Sequence, residues 1–432
     1  MERQTIIHSL SPIHKVVNDT SPIATLSEDV LRYIFSLCAE EVTLPLQEEP
    51  HALTLLQVCC SWREVALDTP ELWNRFCINY QYADQRHVQE WLLRAKRFLV
   101  SASTTDHMDD RCLYSLIRLF INQYQLKRLR IYLRCNQLLS FLSNAKNETL
   151  EDLELYSEHR ESEHRGPQLF LPAQFPFPNL KTLYFYSRHY CLDLQGIRYL
   201  PWNRLSKLTL EVRTTPSILL ESLKEAATLE SLEIMLTAYD NYSPPEDQII
   251  LPQLKKLILR FRGSRGMPCK IFIHIVHPKL ETLQIQGIEL AWDSVVFSHL
   301  TRQSNFENLC ELLFQGSIVS NIPFVKLLKE LPHLRKIWFP IGTQITEDVI
   351  VGLSTGNLGP RLTSIETIGC PVDPQRLLTM AEARQRVAYE KNNAGQEILP
   401  FENITIEYHT PSNHHQSRID ALKEAGTKFM HF

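Results

Sequence analysis

Two hydrophobic rhythms divide this chain of 432 residues. Up to about residue 120 the apolar positions recur at helical spacing, and beyond about 125 they recur as Leu-x-x-Leu-x-Leu. In the first part, Ser27 is placed to cap a helix whose first turn carries Glu28 and Asp29. Val30, Leu31, Ile34, Phe35 and Cys38 then share one face. An acidic loop, EEVTLPLQEEP, precedes a second predicted helix with Leu55, Leu56, Cys59, Trp62 and Ala66 on its stripe. Thr69-Pro70 stops it, because a residue before proline disfavours the helical region. Residues 77–122 also read as helical, with Val88, Trp91, Leu92 and Ala95 on one face and MDDRCLYSLIRLFINQY behind them.

The second rhythm runs through Leu126, Leu129 and Ile131; Leu150, Leu153 and Leu155; and Leu180, Leu183 and Phe185. It continues at Leu205, Leu208 and Leu210; Leu229, Leu232 and Ile234; Leu254, Leu257 and Leu259; and Leu280, Leu283 and Ile285. Leu309, Leu312 and Phe314, then Leu334, Ile337 and Phe339, complete nine copies spaced 24 to 30 residues apart. Degraded copies follow at Leu362 and Ile365 and at Phe401, Ile404 and Ile406. The period resembles that of leucine-rich repeats, in which each copy gives one short strand and a return. No copy can bury its own core, so the copies are expected to stack into a curved solenoid. Turn signals every 8–12 residues, which an all-β alternative would need, are absent. The Asn or Cys usual eight residues after the first leucine is missing from almost every copy, with Cys370 the clearest survivor, so irregular loops are expected. The fold class is therefore α/β, a small helical module followed by an irregular solenoid. Its expected parts are a tail at 1–19, the module at 20–76, a helical connector at 77–122, the repeats at 123–410 and a cap helix at 411–432.

Composition removes several function classes. Hydrophobic residues make up 44% and charged residues 22%, as in a packed globular protein. A net charge of -4 gives no global reason to expect nucleic acid or an anionic membrane. The cluster Arg94, Lys96 and Arg97 reads as a solvated helix face. The ten cysteines are scattered through apolar runs with no C-x-x-C, which fits a reduced cytoplasmic or nuclear protein with no metal and no cofactor. No secretory signal and no run of about 18 apolar residues is visible. Phosphate loops, G-x-S-x-G and H-E-x-x-H are also missing, so no catalytic residue is proposed and the chain is not expected to be an enzyme.

A module of about fifty residues with two such helices cannot bury both of their faces. Some apolar surface is left for a partner, or for packing against the rest of the chain. Pro-Ile-x-x-Leu-Ser-x-Asp-Val-Leu-x-x-Ile-Phe, then Leu-x-Val-Cys-x-x-Trp-Arg-x-Val-Ala and Thr-Pro-x-Leu-Trp, resembles an F-box of the form common in fungal proteins. Ser27 departs from the family's usual proline, and the insertion around Glu40–Pro50 is longer than in its shortest members. The resemblance implies binding to a Skp-type adaptor and, through it, to a cullin–RING ubiquitin ligase. By position it implies that Pro22, Leu26, Val30, Leu31, Ile34 and Phe35 face the adaptor, with Leu56, Val58, Cys59 and Trp62 from the second helix.

Within the repeats, alternation along each strand turns one set of side chains outward. In this register that set includes Arg130, Tyr132, Arg134, Tyr156, Tyr184, Tyr186, Arg188, Arg213, Arg260, Arg262 and Trp338. Tyr, Trp and Arg are enriched at binding hot spots, and Arg pairs well with anions. This stripe is the expected contact for a target protein carrying acidic or phosphorylated groups; ordinary exposed strand residues would give the same pattern. Two functions remain open on sequence alone: substrate receptor of an SCF-type ligase, or a non-catalytic repeat scaffold whose F-box serves no ligase.

Overall fold

The computed structural model describes residues 22–44, 46, 49–79, 91–95, 100–104, 109–158, 168–170, 172, 175–187, 193–195, 197–214, 216–237, 248–262, 274–287, 290–292, 294–304, 306–392, 397–406 and 413–431. The expected tail at 1–19 lies outside them. The chain divides into two compact units, Met1–Glu158 with Pro176–Asn179, and His159–Phe175 with Leu180–Phe432. Among the described residues no helix is long and apolar enough to cross a membrane.

The first unit joins short helices to a parallel sheet. Helix α1 (Glu28–Leu37) is capped by Ser27, whose hydroxyl accepts the Val30 N–H at 3.4 Å. The single second helix expected from periodicity is two, α2 (His51–Val58) and α3 (Cys60–Leu67). Cys59 between them is extended, and its Sγ accepts the Trp62 N–H at 3.4 Å, the position a Ser or Asp takes at a helix start. Val and Cys are weak helix formers, so little opposes the break.

The strands are β1 (Val42–Leu44), β2 (Arg75–Ile78), β3 (Val100–Thr104), β4 (Leu126–Arg134) and β5 (Asp152–Glu158), each parallel to the next. Two sequence expectations change here. The acidic insertion is not only a surface loop, because Val42 and Leu44 are buried and start the sheet. The stretch 77–122 is not wholly helical: α4 (Asp110–Leu116) lies in it, but so does β3. Trp73, Phe76 and Ile78 keep the Leu-x-x-Leu-x-Leu spacing and are buried, with Phe76 paired to Ala102 and Ala102 to Leu129. Aromatic and small residues at the leucine positions hide these copies from a search for leucines.

Trp73 ties the helices to the strands. Fully buried, its indole N–H donates to the Ala66 carbonyl at 2.9 Å, and its own carbonyl accepts the Trp91 indole at 3.0 Å. The two rings meet edge to face at 5.1 Å, with the Arg94 guanidinium 5.3 Å from the Trp73 ring centre. Arg94 is thus a packing residue rather than part of a purely solvated face.

The second unit carries β6 (Gln168–Phe170), β7 (Thr182–Ser187), β8 (Asp193–Gln195), β9 (Lys207–Thr214), β10 (Ser231–Thr237), β11 (Ile249–Ile250), β12 (Lys256–Arg262), β13 (Ile275–Val276) and β14 (Thr282–Gly287). It continues with β15 (Leu290–Ala291), β16 (Glu311–Leu313), β17 (Val319–Ser320), β18 (Lys336–Trp338), β19 (Ser364–Glu366), β20 (Asn403–Ile406) and β21 (Lys428–His431). Its main ladder runs β7-β9-β10-β12-β14-β16-β18-β19-β20-β21, all parallel. The middle apolar position forms one file across it: Leu183, Leu208, Leu232, Leu257, Leu283, Leu312, Ile337, Ile365, Ile404 and Phe429. Every member of that file is buried, so the two degraded copies hold the common register. The N–H entering each strand repeats one bond to the preceding copy: Lys256 to the Glu230 carbonyl at 3.1 Å, Thr282 to Lys255 at 2.9 Å, Lys336 to Cys310 at 2.9 Å.

The expected cap helix is a helix and a strand, Asn413–Glu424 and then β21. Gly426, at φ +93°, makes the left-handed turn that ends the helix and lets Lys428–His431 join the sheet.

Two buried basic residues hold the second unit. Arg384 is fully buried and donates to four carbonyls, those of Leu399 (2.7 Å), Leu353 (3.0 Å), Gly359 (2.8 Å) and Pro360 (2.6 Å). Burial pushes its pKa down to about 10, so it remains charged at neutral pH. Replacing it by Met leaves four carbonyls unpaired in the interior, and the expected cost is about 4 kcal/mol in urea-induced unfolding. His277 is buried against Phe306 with ring centres 5.6 Å apart, and neither ring nitrogen has a partner. Burial lowers its pKa to about 4, against 6.5 for an exposed imidazole. The unfolded chain therefore takes up this proton first, so the His277 contribution is complete above pH 6.5 and is lost as pH falls toward 4. Between pH 7 and 4 the native protein should lose about 3 kcal/mol relative to His277→Phe, read from chemical denaturation at each pH.

Candidate functional site

A partner-binding surface needs apolar side chains that a stable fold leaves in solvent, and α1 supplies them. Its apolar stripe is too wide to face one way. Leu31 and Phe35 turn inward at 4% and 0% exposure, and Phe35 meets Trp62 edge to face at 5.1 Å. Val30 and Ile34, on the neighbouring rows, stand 43% and 37% exposed. Tyr33 and Leu37 extend the same side at 67% and 70%, and Val58 at the end of α2 is 52% exposed. Of the ten residues expected to face an adaptor, Val30, Ile34 and Val58 are thus outside, and Leu31 and Phe35 are core. Leu26, Leu56, Cys59 and Trp62 are half-buried, and Pro22 opens the short 3-10 turn Pro22–Thr25 ahead of α1. The sequence reading passed over Tyr33 and Leu37, although an i, i+4 pair beside Val30 and Ile34 was available to find them.

The outward strand positions are less open than alternation suggests. In the first unit Arg130 is paired with Glu154 at 2.6 Å, a hydrogen bond that raises its pKa. Tyr132 and Tyr156 stack at 4.6 Å, and the Tyr156 hydroxyl donates to Glu154 at 3.3 Å. Burial first, then the Glu154 charge, pushes the Tyr156 phenol up. Arg134 is half-buried at the end of β4, and its backbone N–H donates to Gln137 at 3.0 Å.

In the second unit Arg260 sits between two carboxylates, Glu211 at 2.9 Å and Glu233, and the Tyr184 hydroxyl reaches Glu211 at 3.4 Å. That group carries one net negative charge, so it has no spare attraction for an anion. Tyr186 is half-buried on β7, and Trp338 lies under the Lys336 ammonium at 4.8 Å. Arg213 and Arg262 lie on β9 and β12, and Arg188 falls outside the described residues. Side chains between the outer copies also crowd one another. Ile258, Gln284 and Leu313 all point outward by register and are nevertheless buried. The ladder residue that the sequence reading missed is Ser317, eight after Leu309. Its buried hydroxyl donates to the Ile285 carbonyl at 2.8 Å and accepts the Gly287 N–H at 3.0 Å.

Among the described residues no group of three or more His, Cys, Asp or Glu is placed to hold a metal ion. Comparison with known proteins gives one family match: a model described as F-box-like covers residues 27–79. No curated protein matches the chain.

Proposed function

We propose that this chain is the substrate-receptor subunit of an SCF-type cullin–RING ubiquitin ligase, non-catalytic itself. Its F-box-like segment binds a Skp-type adaptor, and its remaining copies form a leucine-rich-repeat solenoid that binds the target protein. The observation that carries the reading is the exposed row Val30, Tyr33, Ile34 and Leu37 inside the segment matched by the F-box-like model. Four large apolar side chains on one ten-residue helix cost free energy in water unless a partner covers them; burying the part still exposed contributes about 1 kcal/mol each.

The structure also selects the variants. Leu31 lies in the core, so an Asp there would unfold the module and report nothing about binding. Val30→Asp with Ile34→Asp changes only exposed positions. Purified full chain should retain a Skp-type adaptor in pull-down, and the double variant should lose it, a drop of at least about a hundredfold in affinity, with an unchanged circular dichroism spectrum. Absence of adaptor binding by the parent chain would sink the ligase reading. Target contact is assigned to the outward strand face, where paired Arg260 is a poor probe: Arg260→Glu would set three carboxylates together and disturb the fold itself.

A further inference from the structure

The second unit contains a cleft that shares no residue with the exposed row of α1 or with the outward strand positions. It opens between two successive helices, Phe324–Glu330 and Glu347–Thr355, and the turns that lead into them. The first helix commits Phe324, Leu327 and Leu328 to the core, which leaves Val325, Lys326 and Lys329 on its outer side. Ahead of it Asn321 takes the left-handed conformation at φ +64°, and the turn it makes sets Ile322 and Pro323 along one wall. Exposed Gln344 and Thr346 line the other. Phe324 and Val349, both buried, form the floor, and Phe324 is steadied by Phe339 with ring centres 4.9 Å apart. The cleft measures about 530 Å3, a size that accepts a side chain and its flanking backbone.

The charges that line it have one sign. Lys326 and Lys329 stand exposed at its edge, and among the described residues no carboxylate lines it. Three carboxylates are near in sequence. Glu330 lies 3.8 Å from Lys326, Glu347 is held by Arg376 at 3.1 Å, and Asp348 sits in the first turn of the second helix, where the helix dipole favours it. Lys326 also donates to Ser298 at 3.3 Å, whereas Lys329 has no hydrogen bond or ion pair among the described residues. A free anion would meet the lysines and leave the apolar floor in water. An uncharged apolar ligand would cover the floor and leave Lys329 unmatched. A peptide with an aliphatic side chain next to an acidic one satisfies both.

We infer that this cleft is a docking site for a segment of the target protein in which an aliphatic residue adjoins Asp or Glu. The aliphatic side chain enters between Ile322, Val325 and Val349, and the carboxylate meets Lys326 and Lys329. This deepens the receptor reading and rests on it only for the identity of the segment as part of a ligase target. It also gives the target a contact that does not draw on Arg260, whose charge is cancelled within the fold.

The test uses the full chain and three fluorescent Gly/Ala peptides, alike except for a central Leu-Asp, Leu-Lys or Ala-Asp, titrated by anisotropy at low salt. The Leu-Asp peptide should bind about tenfold more tightly than either of the others. Lys326→Gln with Lys329→Gln should remove its advantage over Leu-Lys and keep its advantage over Ala-Asp. Gln344→Trp, at an exposed position, should fill the cleft and block the Leu-Asp peptide without altering any charge, with an unchanged circular dichroism spectrum. Equal binding of all three peptides, no binding, or binding untouched by these variants would overturn the site. So would dimerisation of the parent chain in sedimentation runs that Gln344→Trp abolishes, because the occupant would then be a second copy. Adaptor pull-down run on the same protein separates the two ideas. Retained adaptor with no peptide binding rejects only the cleft, and peptide binding without adaptor upholds the cleft while rejecting the ligase.

Discussion

In-register parallel pairing is the constraint on which everything else in this chain depends. A strand of three to nine residues with one apolar side cannot bury that side alone. Hydrogen-bonding to the next copy at a fixed register puts Leu257 beside Leu283 and Leu259 beside Ile285 and closes their apolar sides together. A slip of one residue would turn each of those leucines to the opposite face. The repeated bond from each strand entry to the preceding copy holds that register.

The helical segment matched by the F-box-like model is built into the same scheme in the first unit. Its insertion provides β1, its closing Trp73 provides the first buried position of β2's copy, and the Ala66–Trp73–Trp91 bonds lock helix to strand. A core shared in this way lets α1 commit Leu31 and Phe35 inward and still hold Val30, Tyr33, Ile34 and Leu37 in solvent without losing the fold. The exposed row is affordable because the buried row is anchored from the strand side.

Charge on the outward faces is largely internal. Glu154 with Arg130, and Glu211 and Glu233 with Arg260, are cross-strand partners, so these arginines steady the ladder before they can serve a ligand.

Periodicity located the buried positions from Leu126 to Ile406 down to single residues, since every apolar side chain it named is buried. It also determined the two apolar runs of the helical module. These were legible because burial demands apolar residues at a fixed spacing whatever surrounds them. The tertiary structure alone decided which half of α1's stripe faces in, that Cys59 breaks the second helix, and that Trp73, Phe76 and Ala102 are buried on the inner side of the sheet without leucine. It alone decided that Arg260 is neutralised by Glu211 and Glu233. Those outcomes depend on which residue lies across the ladder, tens of positions away in sequence, and a one-dimensional pattern does not record its own neighbours in space.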